Sequence, residues 1–142
     1  MKRTWNGGGL TLATMLVSVL SAGCGGGDEE SREDLVARAN ALRAQAVSQV
    51  ATGPCDNDSQ CTGLVFTPPV PSCVQHDQHT YSKRSAGAAA GEATAAEQRA
   101  VARLALAKAT EPVVCTAHVE APPRHVCVAQ RCEQRPGSFT PD

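Results

Sequence analysis

Seven cysteines constrain the fold of this chain more than any other feature of its sequence. Aromatic residues make up only 3% of its 142 residues, so the large side chains that usually dominate core burial are scarce. We therefore expect one small domain in which disulfides supply much of the stability. The cysteines expected to pair are Cys55, Cys61, Cys73, Cys115, Cys127 and Cys132.

The N-terminus has the three parts of an export signal. Lys2 and Arg3 are positive, residues 10–20 (LTLATMLVSVL) are apolar, and residues 21–23 (SAG) form a small-residue cleavage region. Eleven residues rise only about 16 Å as a helix, which is roughly half of a bilayer core. The pattern therefore predicts a signal peptide over residues 1–23, which would deliver the cysteines to an oxidising compartment.

Residues 20–24 (LSAGC) resemble a bacterial lipobox, in which the chain is cut before a cysteine whose thiol then carries lipid with acyl chains such as palmitate. Assigning Cys24 to lipid leaves an even six cysteines for disulfides. Ser21 stands where the motif usually has a large aliphatic residue, so ordinary secretion with cleavage nearby is the alternative.

The segment after Cys24 has the composition of a flexible tether, which we expect over residues 24–30. Gly25 rather than Asp follows the cysteine. By resemblance to enterobacterial lipoproteins, this disfavours retention in the inner membrane. It implies an outer-membrane lipoprotein of the cell envelope, facing the periplasm or the cell surface.

Two amphipathic helices are expected in a domain placed at residues 31–133. Residues 31–34 (SRED) have the pattern of a capping box, and the glycine and proline at positions 53 and 54 are expected to stop the first helix. The second is expected over residues 83–111. Its first part should be irregular at Gly87 and Gly91, with a second capping box at residues 94–97. The apolar stripe of the first helix is Leu35, Ala39, Leu42, Ala46 and Val50.

Three strands are predicted from the remaining apolar patterns. Residues 61–67 form a short strand, and after Pro112 the period changes from 3.6 to 2, which predicts an antiparallel pair at residues 113–121 and 125–131. Residues 134–142 are expected to be a disordered polar tail. The fold class is thus α+β, with two helices packed on a short antiparallel sheet.

Two pairings of Cys127 follow from the pattern at the end of the chain. If Ala129 and Gln130 form the centre of a hairpin turn, Cys127 faces Cys132 directly at a distance that a disulfide can bridge. If one strand instead runs through residues 126–132, the two cysteines point to opposite faces and Cys115 is the natural partner of Cys127. The spacing leaves both pairings open.

A cluster of candidate metal ligands lies at His76, Asp77 and His79, and His118 and His125 lie on later predicted strands. The His-x-x-His spacing suits neither one face of a helix nor one face of a strand, so we expect no metal site and no cofactor.

Several functional classes lack their sequence signals. The net charge of −1 provides no field that attracts nucleic acid. The cysteine spacings contain no C-x-x-C of a thiol-exchange enzyme, and neither G-x-S-x-G nor H-E-x-x-H occurs. We therefore expect a protein that is not an enzyme.

The cysteine pattern C-x-x-D-x-Q-C at residues 55–61, a later Tyr81-Ser82, an alanine-rich helix and a closing C-V-x-x-x-C at residues 127–132 resemble a family of small cysteine-rich secreted proteins and lipoproteins of Gram-negative bacteria. The resemblance covers residues 35–132. The family it points to has no assigned activity, so the resemblance implies none for this chain. The chain departs from the family where Gly-Gly-Pro usually follows the third cysteine, because it has Val-Gln-His at residues 74–76.

Together these features predict a membrane-anchored envelope lipoprotein that acts as a structural or interaction module with a protein partner in the envelope. The alternative is an envelope inhibitor or a protein that binds a small ligand or a metal, favoured by the short loop closed by Cys55 and Cys61.

Overall fold

The structure is a computed structural model that describes residues 29–74, 77–115 and 119–138. Strands β1 and β2 form one two-stranded antiparallel sheet, and β3 and β4 form a second. The predicted α+β class is therefore confirmed. The elements are α1 (Arg32–Gln49), a 3-10 turn (Asp58–Gln60), β1 (Cys61–Val65), β2 (Gln78–Ser82), α2 (Ala88–Ala107), β3 (Arg124–Val128) and β4 (Arg131–Arg135).

Helix α1 begins at the capping box that the sequence predicts. The amide of Asp34 donates to Ser31 Oγ at 3.1 Å, which satisfies one of the free amides of the first turn. Within the predicted apolar stripe, Leu35, Ala39 and Ala46 are buried. Leu35 and Ala39 pack against the last turns of α2.

Residues 83–87 form turns, in agreement with the irregular first part expected there, but α2 is regular from Ala88 onward and includes Gly91. Glycine in a helix interior costs about 1 kcal/mol relative to alanine. At Gly91 the two helices come too close for a side chain, because an added Cβ would lie 2.5 Å from Val50 Cγ1. Thr94, expected at a helix start, lies inside α2 and donates to the carbonyl of Ala90 at 3.0 Å.

The β1–β2 sheet packs one face on the two helices. Strand β2 was not predicted as a strand, although its sequence QHTYS alternates and is bounded by turns. Residues at alternate positions of a strand point to the same face. A single buried cluster joins the helix-facing side chains of the sheet to both helices; its members are Ala46, Leu64, Phe66, Tyr81 and Ala95.

The β3–β4 hairpin packs on the opposite face of the β1–β2 sheet. Its register pairs Cys127 with Cys132 and Val128 with Arg131, as the hairpin hypothesis predicts. Ala129 and Gln130 form the turn with positive φ angles of 48° and 63°, the combination that a type I′ turn requires.

The strand expected at residues 113–121 is wrong for the described residues 113–115 and 119–121, which form no strand. Cys115 is instead bonded to Cys73, and the side chain of Val114 is 94% exposed, so no sheet covers this segment. The partner of β3 is β4. Strand β4 runs to Arg135, past the domain boundary expected at residue 133.

All six cysteines of the domain form disulfides, and both pairings considered for Cys127 are wrong. Cys127 bonds to Cys55, and Cys132 bonds to Cys61. The hairpin lies against β1 and the loop before it, so each of its sulfurs meets a sulfur of that layer instead of its cross-strand neighbour. These two bonds join residues that are 72 and 71 positions apart in the chain.

We predict that replacing Cys61 and Cys132 together by alanine lowers the free energy of unfolding by about 2–5 kcal/mol, because the bond closes a long loop and pins the hairpin. The matched control replaces Cys73 and Cys115, whose bond closes a shorter loop of 42 positions. This control should lose less stability in urea denaturation. A Cys127 peptide linked to Cys132 in a non-reducing digest of the native protein would contradict the bonding pattern.

Candidate interaction groove

One edge of β1 carries backbone groups that pair with no other strand in the described part of the chain. The amide of Phe66 donates to the carbonyl of Asp77 at 2.9 Å, so residues 62, 64 and 66 direct their backbone groups toward β2. Because the direction alternates along an antiparallel strand, Cys61, Gly63 and Val65 direct theirs outward.

The residues that the structure describes satisfy two of these outward groups. The Cys61 amide donates to the carbonyl of Asp58, and the Val65 carbonyl accepts from Arg99 Nη1 at 2.8 Å. Within the described ranges, no hydrogen bond is formed by the Cys61 carbonyl, either Gly63 group or the Val65 amide. These four groups form a row that we call the open edge.

A groove of about 320 Å³ runs between the open edge and α2. Residues 62–65 form one wall, and Glu92, Ala95 and Arg99 form the other. The three helix positions are spaced by three and four residues, which places them on one face of α2. The groove therefore combines strand backbone with helix side chains.

The two ends of the groove have opposite charge. Arg99 lies beside Val65 at one end. At the other end, Glu92 accepts a hydrogen bond from the hydroxyl of Tyr81, which is the cross-strand neighbour of Thr62. Burial, and then this hydrogen bond to Glu92, raise the pKa of Tyr81 above its usual range. The phenol therefore stays neutral and acts as a donor.

Gln98 connects α2 to the chain that follows β1. Its side chain is fully buried; Nε2 donates to the carbonyl of Thr67 at 2.7 Å, and Oε1 accepts from the Thr67 amide at 3.1 Å. The amide of Gln98 thus pairs with the chain after β1 as a neighbouring strand would, and it fixes β1 to α2.

His125 of the hairpin lies within hydrogen-bond distance of two β2 side chains and packs against Gly63 of β1. Its Nδ1 lies 2.9 Å from Thr80 Oγ1, and its Nε2 lies 3.0 Å from Gln78 Oε1. A Cβ on Gly63 would lie 2.7 Å from His125 Cε1, so this close approach requires glycine. His125 therefore connects the two sheets and is not part of the cluster of candidate metal ligands.

Two of the candidate metal ligands, Asp77 and His79, lie beside Arg43. Asp77 Oδ1 lies 2.7 Å from Arg43 Nη2, and burial and then the charge of Arg43 lower the pKa of His79. A guanidinium beside both groups opposes a bound cation. His76 and His118 lie outside the described residues.

Three sulfurs lie close together, those of Cys55, Cys61 and Cys132, within 4.8 Å of one another. Each belongs to a disulfide, so none of them offers a thiolate to a metal.

The acidic loop between Cys55 and Cys61 contacts other parts of the domain through its carboxylates. Asp58 Oδ1 accepts from the Cys127 amide at 2.8 Å, and Asp56 Oδ2 lies 2.6 Å from Arg84 Nη1. These carboxylates therefore serve contacts within the domain.

The groove is not apparent from the sequence. Gly63, a glycine inside a strand pattern, marks the close approach of His125 and not the groove. Glu92 and Arg99 have no distinguishing sequence signal within the alanine-rich helix.

Cys24 and the predicted signal peptide lie outside the described residues. Among the residues that are described, no helix is both long enough and apolar enough to cross a membrane. Comparison with protein-family models, with curated proteins and with solved structures found no match.

We predict that the protein becomes less stable as the pH falls from about 7 to about 5. Burial lowers the pKa of His125 in the folded protein, so the unfolded chain binds this proton more readily. The stabilisation is complete above the usual histidine pKa of about 6.5 and is lost as the pH falls through the lowered value. His79, whose pKa is also lowered, contributes in the same direction.

Urea denaturation across this pH range measures the effect. His125→Gln should reduce the slope of unfolding free energy against pH. Adding His79→Gln should also remove the part of the slope that His79 contributes. An unchanged slope in His125→Gln would show that this imidazole does not carry the dependence.

Proposed function

We propose that this chain is a membrane-anchored envelope lipoprotein that acts as an interaction module. The observation that carries the proposal is the open edge of β1 beside α2. An exposed strand edge binds an extended segment by main-chain hydrogen bonds, and a neighbouring groove gives specificity through side chains. The recognition surface of the module is thus the open edge, and its ligand is an extended strand.

The disulfides support this role because they make the edge rigid before binding. Strand β1 is bonded at its first residue through Cys61, and the loop before it is bonded through Cys55. A surface that is already ordered loses less conformational entropy on association. These bonds also suit an exported protein, because disulfides form and persist in oxidising compartments.

The anchor of the proposed lipoprotein is Cys24. Only residues 25–30 separate it from the helix cap at Ser31, and a fully extended chain of that length reaches at most about 25 Å. The domain would therefore stay close to the membrane surface. We place it on the outer membrane, facing the periplasm or the cell surface, with secretion as the alternative.

We predict that Cys24→Ser abolishes labelling by a radioactive fatty acid and moves the protein to the soluble fraction, because a multi-chain lipid anchor is lost. Ser21→Leu, which restores the usual lipobox pattern, is the matched control and should stay in the membrane. Continued membrane partition of Cys24→Ser rules out the lipid anchor.

We also predict that a photoreactive residue at Ala96, exposed at the rim of the groove, forms a specific crosslink to a protein in intact cells. The same probe at Ala44, exposed on α1, should not form it. Val65→Pro should abolish the crosslink because it removes an amide of the open edge, whereas Val65→Ala keeps that amide and should retain it. A crosslink that survives Val65→Pro, or none at Ala96, overturns the assignment of the open edge as the recognition surface.

A further inference from the structure

We infer that the strand that docks on the open edge is β1 of a second copy of this chain, antiparallel to the first and related to it by a two-fold axis at Gly63. The inference rests on the proposed function, since it identifies the partner of the same edge. The paired sheets would form one sheet in the order β2-β1-β1-β2, in which the central strands are no longer at an edge.

The hydrogen-bonding groups of the open edge are complementary to themselves. With the axis at Gly63, the Gly63 amide of each copy donates to the Gly63 carbonyl of the other. The same register places Val65 opposite Cys61, so each Val65 amide donates to a Cys61 carbonyl. Four hydrogen bonds form, and every unpaired group of the edge is used.

In this register, two backbone groups of each β1 strand form no hydrogen bond to the other copy. They are the two outward groups that the chain already satisfies. The Cys61 amide and the Val65 carbonyl would face each other across the axis. One is bonded to Asp58, and the other is bonded to Arg99. A register about Leu64 would instead place Gly63 opposite Val65, whose carbonyl is bonded to Arg99. It would also place Cys61 opposite Thr67, whose amide is bonded to Gln98. That register would leave the Gly63 amide and the Cys61 carbonyl without a free partner. The open edge therefore selects one self-pairing register.

The charges of the groove fit the same axis. Arg99 lies at the Val65 end and Glu92 lies at the Thr62 end, so the axis brings Arg99 of one copy toward Glu92 of the other, twice. Opposite charges across paired elements are favourable, and like charges are unfavourable. A single extended peptide would not supply the two symmetry-related pairs of opposite charges.

The surfaces beside the edge accommodate a second copy. The axis places both α2 helices on one side of the joined sheet, and Ala96, which is exposed and lies one turn from Glu92 on the same side of α2, is small. On the other side, the side chain of Val65 is 48% exposed and would lie over the strand of the second copy. Tethering on one membrane would raise the effective concentration of the two copies.

The test is the dissociation constant of the dimer, measured by sedimentation equilibrium on the exported Cys24→Ser protein with its disulfides intact. We expect a monomer–dimer equilibrium. Val65→Pro should weaken it roughly 30-fold, because two symmetric hydrogen bonds are lost and each contributes about fivefold. Proline is tolerated on an edge strand whose amide faces outward. Val65→Ala, which keeps the amide, should weaken the dimer much less.

A charge exchange provides an independent variant. Arg99→Glu and Glu92→Arg each place like charges across the axis and should weaken the dimer roughly tenfold. The double variant restores opposite charges and should return the constant to within about threefold of the original. A protein that stays monomeric, or a dimer that neither Val65→Pro nor the single charge variants weaken, overturns the inference.

The crosslink from Ala96 separates this inference from the proposed function. A crosslink between two copies of the chain supports both. A crosslink to a different protein, lost in Val65→Pro and found with monomeric material, overturns the self-pairing and leaves the open edge as a recognition surface for another strand.

Discussion

The docking of the β3–β4 hairpin on the back of β1 is the contact on which the rest of the structure depends. Two disulfides and the contacts of His125 hold the hairpin there. Because Gly63 has no side chain, His125 can lie close to β1. A two-stranded sheet is only marginally stable alone. With the hairpin on one face and the helices on the other, the β1–β2 sheet is covered on both sides while one of its edges stays open.

The sequence predicted what local chemistry controls. The cap at Ser31 and the apolar stripe of α1 follow from short-range patterns, and both were correct. The hairpin register at Cys127 and Cys132 was also predictable from spacing. The choice of disulfide partners was not, because it depends on which sulfurs the docked layers bring together. The same reason explains Gly91, whose local propensity gave no sign of a helix crossing.

The groove illustrates the other limit of sequence reasoning. Its walls come from β1 and α2, and the strand β2 between them in the chain was missed. Nothing in the residues of α2 distinguishes Glu92 and Arg99 from other charges on an exposed helix face. Their place in the groove follows from the alternating direction of the backbone groups in β1 and from Gln98, which holds that strand beside the helix.

The facing positions of Cys127 and Cys132 have a consequence for the order of events during oxidation. Closing a loop between cysteines five positions apart costs less chain entropy than closing loops of 71 or 72 positions. The incorrect local bond is therefore the kinetically favoured one in an unstructured chain. The native bonds require the hairpin to meet β1 before its thiols are consumed, or exchange afterwards through mixed disulfides. Folding yield thus depends on the thiol–disulfide balance of the surroundings during oxidation.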